Sequence, residues 1–171
     1  MQNGGSVRPF TYLQQRRFSL FDALKQFVTE LAEGGNDARE LGDQDLRVAT
    51  AALLVHAASI DGEMTNAAGQ ELRNLLRQRF DLDDKAADKL IEQATVADQR
   101  AVDLYHFTHR LNERLDEAER CRIVEMLWSI AYVDGSVSDY ENNLIWRVAD
   151  LLGVSQAERI ALRNRVATRP A

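Results

Sequence analysis

The sequence is poor in the residues that mark several protein classes. It has one cysteine, two prolines and 7% aromatic residues in 171 positions. A single cysteine excludes an internal disulfide framework and is typical of a reducing compartment. The chain also lacks an apolar run long enough for a membrane span or a signal peptide. We therefore expect an ordinary helical protein of the cytoplasm.

Negative charge is confined to the central part of the chain. The net charge is −6 at pH 7, and every acidic residue lies between Asp22 and Glu158. Outside that range the charged side chains are all arginines. An acidic surface repels phosphate backbones, so we expect no nucleic-acid partner. A cation or a basic surface on a partner protein fits this charge better.

The length and the hydrophobic content predict one main domain. A chain of 171 residues with 45% hydrophobic content can bury a single sizeable core. Residues 1–18 are predicted to be a poorly ordered basic and aromatic arm, and residues 19–168 a single helical domain. Any membrane contact is expected through this arm. The alternative is an arm that packs on a first helix, which we predict from Ser19 to about Glu33.

Two apolar helical segments run into Asp-Gly turns. Residues 53–65 read L-L-V-H-A-A-S-I-D-G-E-M-T, and residues 126–141 read M-L-W-S-I-A-Y-V-D-G-S-V-S-D-Y-E. Each glycine can adopt the positive φ that ends a helix without a Cβ penalty. Thr65 and Ser138 are then the predicted N-caps of the helices that follow.

The repeated junctions indicate the fold class. They predict an all-α bundle of about seven to eight helices built from two tandem repeats, at about 43–98 and 116–168. The second helix is predicted to open at Asp43 and to occupy the centre of the bundle, because its residues 46–60 are apolar at nearly every position. Pairing of the helices that precede the turns would bring both acidic turns toward one face.

The second turn has two interpretations. Ser138 with Glu141 three residues later forms the pattern of a capping box. The run D-G-x-V-S-x-x-E from Asp134 also matches the second half of an EF-hand calcium loop. Ile130 and Tyr132 stand where that loop places its first two ligands, so an EF-hand is excluded. The carboxylates of Asp134 and Glu141 remain either helix caps or ligands of a weak site for calcium or another hard cation.

The first turn repeats this pattern incompletely. Asp61 corresponds to Asp134, but Ala68 stands at the position of Glu141. Asp134 and Glu141 are therefore the main metal-ligand candidates, with Asp61 contributing only if the two turns meet. Ser138 and Glu63 are possible helpers. Glu63 or Glu71 could substitute for the missing carboxylate of this copy, but neither lies at the offset of Glu141.

The remaining candidates for chemistry have ordinary structural interpretations. Cys121 lies in an amphipathic helix without a neighbouring histidine and is predicted to be structural. His56 is predicted to be a satisfied core residue, and His106 and His109 to be surface residues. The sequence contains no nucleophile elbow, phosphate loop or dinucleotide fingerprint, so we expect no enzyme activity.

The junctions carry a resemblance to a known family. Both have the form A-x-x-D-G-x-Φ-[ST], and the second is completed by Glu141. With the flanking stretches from Asp103 (D-L-Y-H-F-T-H-R-L-N-E-R-L-D) and Tyr140 (Y-E-N-N-L-I-W-R-V-A-D-L-L-G-V), they resemble the TerB-like, tellurite-resistance-associated all-helical domains. The resemblance covers about residues 40–166 and is closest to the uncharacterised bacterial branch.

The resemblance implies a function as well as a fold. It implies an acidic, candidate metal-binding cluster at Asp61, Asp134 and Glu141. It also implies a non-enzymatic cytoplasmic module, associated with stress or tellurite response, that binds a divalent cation weakly or a protein partner through its acidic turns. The alternative is a metal-independent scaffold that binds a protein through its helix surfaces.

Overall fold

The computed structural model describes residues 37–169, and all regular structure in that range is helical. This confirms the predicted all-α class. The predicted arm at 1–18 and the predicted helix from Ser19 to Glu33 lie outside the described residues. The seven described helices are α1 (Asp37–Ala58), α2 (Asn66–Phe80), α3 (Asp84–Arg100), α4 (Tyr105–Arg114), α5 (Glu117–Ala131), α6 (Asp139–Leu151) and α7 (Gln156–Ala167).

Helix α1 begins earlier than its sequence predicts. The predicted start at Asp43 is wrong, because the helix already runs from Asp37. Gly42 does not interrupt it: the guanidinium group of Arg114 occupies the space that a Cβ at Gly42 would need. A helical glycine costs only about 1 kcal/mol relative to alanine, which the surrounding helix can absorb.

Side-chain caps define the starts of most helices. Thr65 accepts a hydrogen bond from the Ala68 amide at 3.1 Å, as predicted for the cap of α2. Asp83 caps α3 in the same way, accepting from the Ala86 amide at 2.7 Å. The predicted capping box of Ser155 and Glu158 opens α7. A further capping box, not identified from the sequence, opens α5 at Asp116.

One apolar core unites the described helices. Helix α5 packs against α2, α6 and α7, while α2 also contacts α3 and α4 contacts α6. The middle of α1 is buried on all sides, which confirms its predicted central position. The largest fully buried side chains are Trp128, Leu53, Leu54, Leu72, Leu76, Leu111, Ile123, Leu127, Ile130, Ile145, Leu152 and Val124.

Two helix ends close in the same way. Asp81 after α2 and Gly153 after α6 both have left-handed backbone conformations, with φ of 52° and 68°. In each case the next amide reaches back five residues: Leu82 N donates to the Arg77 carbonyl, and Val154 N to the Ala149 carbonyl. The shared geometry lies at F-D-L (residues 80–82) in the first predicted repeat and at L-G-V (residues 152–154) in the second, whereas the tandem repeat as a whole stays a prediction.

Candidate functional site

The structure brings the two Asp-Gly junctions into contact. The hydroxyl of Thr65, which caps α2 after the first turn, lies 3.4 Å from Oδ2 of Asp134 in the second turn. This is a long hydrogen bond between residues 69 positions apart. We call the four carboxylates of the joined turns the acidic face: Asp61, Glu63, Asp134 and Glu141.

Most of the acidic face is open to solvent. Asp61, Glu63 and Asp134 are exposed, whereas Glu141 is half-buried. Among the described residues, no arginine, lysine or histidine lies within ion-pair distance of any of the four. Their negative charge is therefore not neutralised by direct ion pairs within this part of the chain.

Glu141 closes the capping box that its spacing predicts. The Ser138 amide donates to Oε2 of Glu141 at 2.8 Å, and the Glu141 amide donates to the Ser138 hydroxyl at 3.1 Å. Both residues therefore fix the start of α6. Over residues 37–169, no group of three or more His, Cys, Asp and Glu side chains is arranged to hold a metal ion. Cation binding by Asp134, Glu141 and Asp61, with Ser138 and Glu63 as helpers, stays a prediction.

Glycine gives both turns their backbone geometry. Gly62 has φ of 133° and Gly135 has φ of 83°, and a Cβ at either position would meet nothing within 4 Å. Substitution would therefore act through backbone strain and not through collision. Each glycine amide also donates within its turn, Gly62 to the Ser59 carbonyl and Gly135 to the Tyr132 carbonyl.

We expect Gly62→Ala and Gly135→Ala each to lower the free energy of unfolding by about 1–3 kcal/mol, the cost of a strained backbone conformation. The matched control is Gly69→Ala inside α2, where a Cβ would make only an ordinary contact with Met64. That variant should gain about 0.4–1 kcal/mol, since alanine restricts the unfolded chain. Urea unfolding of the three variants measures the differences. Equal effects at all three positions would contradict a role for positive φ.

A histidine and an aspartate that were not predicted to belong to the site form a pair near the ends of α1 and α3. Nδ1 of His56 in α1 is 2.9 Å from Oδ1 of Asp98 in α3. The histidine side chain is 34% exposed and that of Asp98 is 18% exposed. His56 thus has the partner expected of a satisfied histidine, but it lies at the edge of the core. No local pattern marks this pair, because its members are 42 residues apart.

His56 and Asp98 line a cavity of about 400 Å³ that we call the apolar cavity. It lies between the end of α1, the segment after α3 and the first turns of α6. Six of the eleven side chains around it are apolar or aromatic, and the other five are polar or charged. The eleven are His56, Ile60, Asp98, Ala101, Val102, Asp103, Leu104, Tyr140, Asn143, Leu144 and Arg147.

The other candidate side chains are in structural environments. Burial and the nearby carboxylate of Glu158 raise the pKa of the Cys121 thiol, which keeps it protonated and weakly nucleophilic. This agrees with the predicted structural cysteine. His106 and His109 are exposed, as predicted, and His109 stacks on Tyr105 and lies 3.5 Å from Glu113.

Comparison with known proteins identifies the family. The family model described as "Tellurite resistance protein TerB" matches residues 47–164, which is more than half of the chain. No curated protein and no solved structure matched the chain. None of the described helices is long and apolar enough to cross a membrane. The match spans both Asp-Gly junctions and confirms the resemblance carried by them, so this chain belongs to the tellurite resistance protein TerB family.

Proposed function

We propose that this TerB-family protein is a non-enzymatic cytoplasmic binding module whose acidic face docks a basic segment of a partner protein. The contact between Thr65 and Asp134 carries the proposal, because it places the start of α2, which directly follows the first acidic turn, against the carboxylate of the second turn. A single turn offers two charges. The joined turns offer four.

The charge distribution supports docking. Several arginines of the described chain already have carboxylate partners: Arg165 and Arg169 pair with Glu125, and Arg159 pairs with Asp150. The acidic face has no such internal partner among the described residues. Clustered charge of one sign steers an oppositely charged partner and raises its association rate.

The exposure of these carboxylates supports a binding role over catalysis. Catalytic acids and bases acquire altered proton affinity from burial and from close charged neighbours. Asp61 and Asp134 are exposed, and no described side chain forms an ion pair with either. Glu141 holds a helix start in place. Solvated carboxylates of this kind are suited to electrostatic recognition.

Binding of a labelled basic peptide tests the docking proposal. The probe is a fluorescein-labelled peptide of alternating lysine and serine, measured by fluorescence anisotropy at two salt concentrations. Neutralising three exposed carboxylates with Asp61→Asn, Glu63→Gln and Asp134→Asn should weaken binding about tenfold, which is about 1.4 kcal/mol. Higher salt should weaken the binding of the wild type but have less effect on this triple variant.

The matched control removes the same charge elsewhere. Asp43, Glu92 and Glu117 are exposed and form no ion pair with a described residue. The variant with Asp43→Asn, Glu92→Gln and Glu117→Gln should lose less than about twofold in affinity, since screening limits the range of exposed charges. Equal losses in both triple variants would mean that overall charge, and not the acidic face, attracts the peptide.

A weakly held divalent cation is the second candidate ligand of the same face. The observation that favours it is the proximity of oxygen atoms from both turns, the Thr65 hydroxyl and the Asp134 carboxylate. Calcium and magnesium prefer oxygen ligands of this kind. The family description supports a role in tellurite resistance. Growth on tellurite of a host lacking this protein, complemented by the wild type or the acidic-face triple variant, tests that role.

A further inference from the structure

The apolar cavity lies next to the acidic turns along the chain. Ile60, which lines the cavity, directly precedes Asp61 of the first turn. Tyr140, which also lines the cavity, lies two residues after Ser138 at the start of α6. The two junctions that carry the acidic face therefore also contribute lining residues to the apolar cavity.

Two large apolar side chains at the cavity are exposed to solvent. Val102 is 100% exposed and Tyr140 is 72% exposed, although both contribute to its lining. Ile60, Leu104 and Leu144 provide the more buried walls. Aromatic residues beside a recess are typical of the anchoring positions of protein interfaces. These exposed apolar side chains form a surface whose burial by a partner protein would be energetically favourable.

The charged groups at the cavity favour a basic occupant over an acidic one. Asp98, which pairs with His56, and Asp103 line it, and Asp61 and Asp139 are the sequence neighbours of the lining residues Ile60 and Tyr140. Arg147 is the single arginine of the lining. Carboxylates outnumber this cation, so a partner segment that carries lysine or arginine beside its apolar residue fits the local charge.

We propose that the apolar cavity receives one large apolar side chain of the basic partner segment that the acidic face docks. This inference rests on the proposed docking function. It adds an apolar contact, which would let the protein distinguish between partner segments of equal charge. The cavity, at about 400 Å³, lies at the small end of ligand pockets, which hold about 300–1,000 Å³. It has room for a phenylalanine or leucine side chain, whose insertion would bring apolar surface to a cavity lined by Val102 and Tyr140.

Two peptides that differ at one residue test the anchor. The probes are fluorescein-labelled amphipathic peptides of lysine and alanine, one with a central phenylalanine and one with alanine in its place. The phenylalanine peptide should bind wild-type protein at least about tenfold more tightly, because the buried ring loses contact with water. Both peptides should respond to salt, since they carry the same charge.

Protein variants assign this preference to the cavity. Ala101 has extended backbone geometry at the end of α3, so Ala101→Phe can fill the cavity without backbone strain. Val102→Ser removes the exposed apolar rim. The matched control is Val96→Ser, at a valine of α3 that is 41% exposed and outside the cavity lining. The preference for phenylalanine should disappear in Ala101→Phe, decrease in Val102→Ser and remain in Val96→Ser.

The possible failures are distinguishable. Equal binding of the two peptides by wild type, or a preference that persists in Ala101→Phe, would overturn the anchor and leave the acidic face unaffected. If the acidic-face triple variant binds both peptides as tightly as wild type, the docking function fails, and the basic-partner inference fails with it. Thermal unfolding of each variant checks that a loss of binding is not a loss of folded protein.

Discussion

Replacement of Trp128 by alanine is expected to lower the free energy of unfolding by about 3–5 kcal/mol. Trp128 is the largest of the fully buried side chains, with 1% of its surface exposed, and it lies in α5 at the centre of the packing. Its ring lies 6.0 Å from that of Tyr132, and the Arg163 guanidinium stacks over it at 5.3 Å. Alanine would leave a cavity that the neighbouring helices can fill only in part.

Phenylalanine at the same position should cost much less. The indole Nε1 of Trp128 is buried and has no hydrogen-bond partner among residues 37–169. An unpaired buried donor carries a penalty of about 1–3 kcal/mol, which Trp128→Phe removes while it keeps most of the apolar contact. We expect this variant to lose less than half of the stability that Trp128→Ala loses.

Urea unfolding followed by far-UV circular dichroism compares the two variants without relying on tryptophan fluorescence. Trp146→Phe is the control, because Trp146 is only half-buried and lies under Arg159 near the surface. It should cost less than about 1.5 kcal/mol. If Trp128→Phe proved as destabilising as Trp128→Ala, the indole nitrogen would have a stabilising partner that its surroundings do not show.

Features governed by neighbouring residues could be predicted from the sequence. A helix cap requires a hydroxyl or carboxylate within three residues of the amide it accepts from, so Thr65, Ser138 and Ser155 could be assigned from spacing alone. The all-α class followed from the same local patterns. The start of α1 could not be predicted, because the helix runs through Gly42, whose close contact with Arg114 depends on the tertiary fold.

The apolar cavity could not be predicted from the sequence. Its walls come from three separate stretches of chain, and the pairing of His56 with Asp98 joins residues 42 positions apart. In the sequence, His56 lies within an apolar helix, and Asp98 is one of several acidic residues in a different predicted helix. Their chemical environment depends on how α1 and α3 are placed, which local periodicity does not determine. The acidic turns were identifiable because each carries its own Asp-Gly signal.

Excess calcium, magnesium or manganese is expected to raise the stability of the wild-type protein over that in chelator. A cation held only by the folded state at about a hundred times its dissociation constant contributes about 2.7 kcal/mol. The candidate ligands are the carboxylates of Asp134 and Asp61 and the second carboxylate oxygen of Glu141, since Oε2 accepts from the Ser138 amide. Thermal unfolding in chelator and then in each cation measures the gain.

The double variant Asp134→Asn with Glu141→Gln separates cation binding from helix capping. The carbonyl oxygen of a glutamine can still accept from the Ser138 amide, so the capping box survives while both negative charges are lost. Glu158→Gln is the matched control, because it changes the equivalent capping box of α7 without an Asp-Gly turn. A cation-dependent gain in the wild type and the control, absent from the double variant, would assign the site to the acidic face. No gain in the wild type would leave these carboxylates as caps and docking charges, since a folded-state ligand in excess must stabilise the fold it binds.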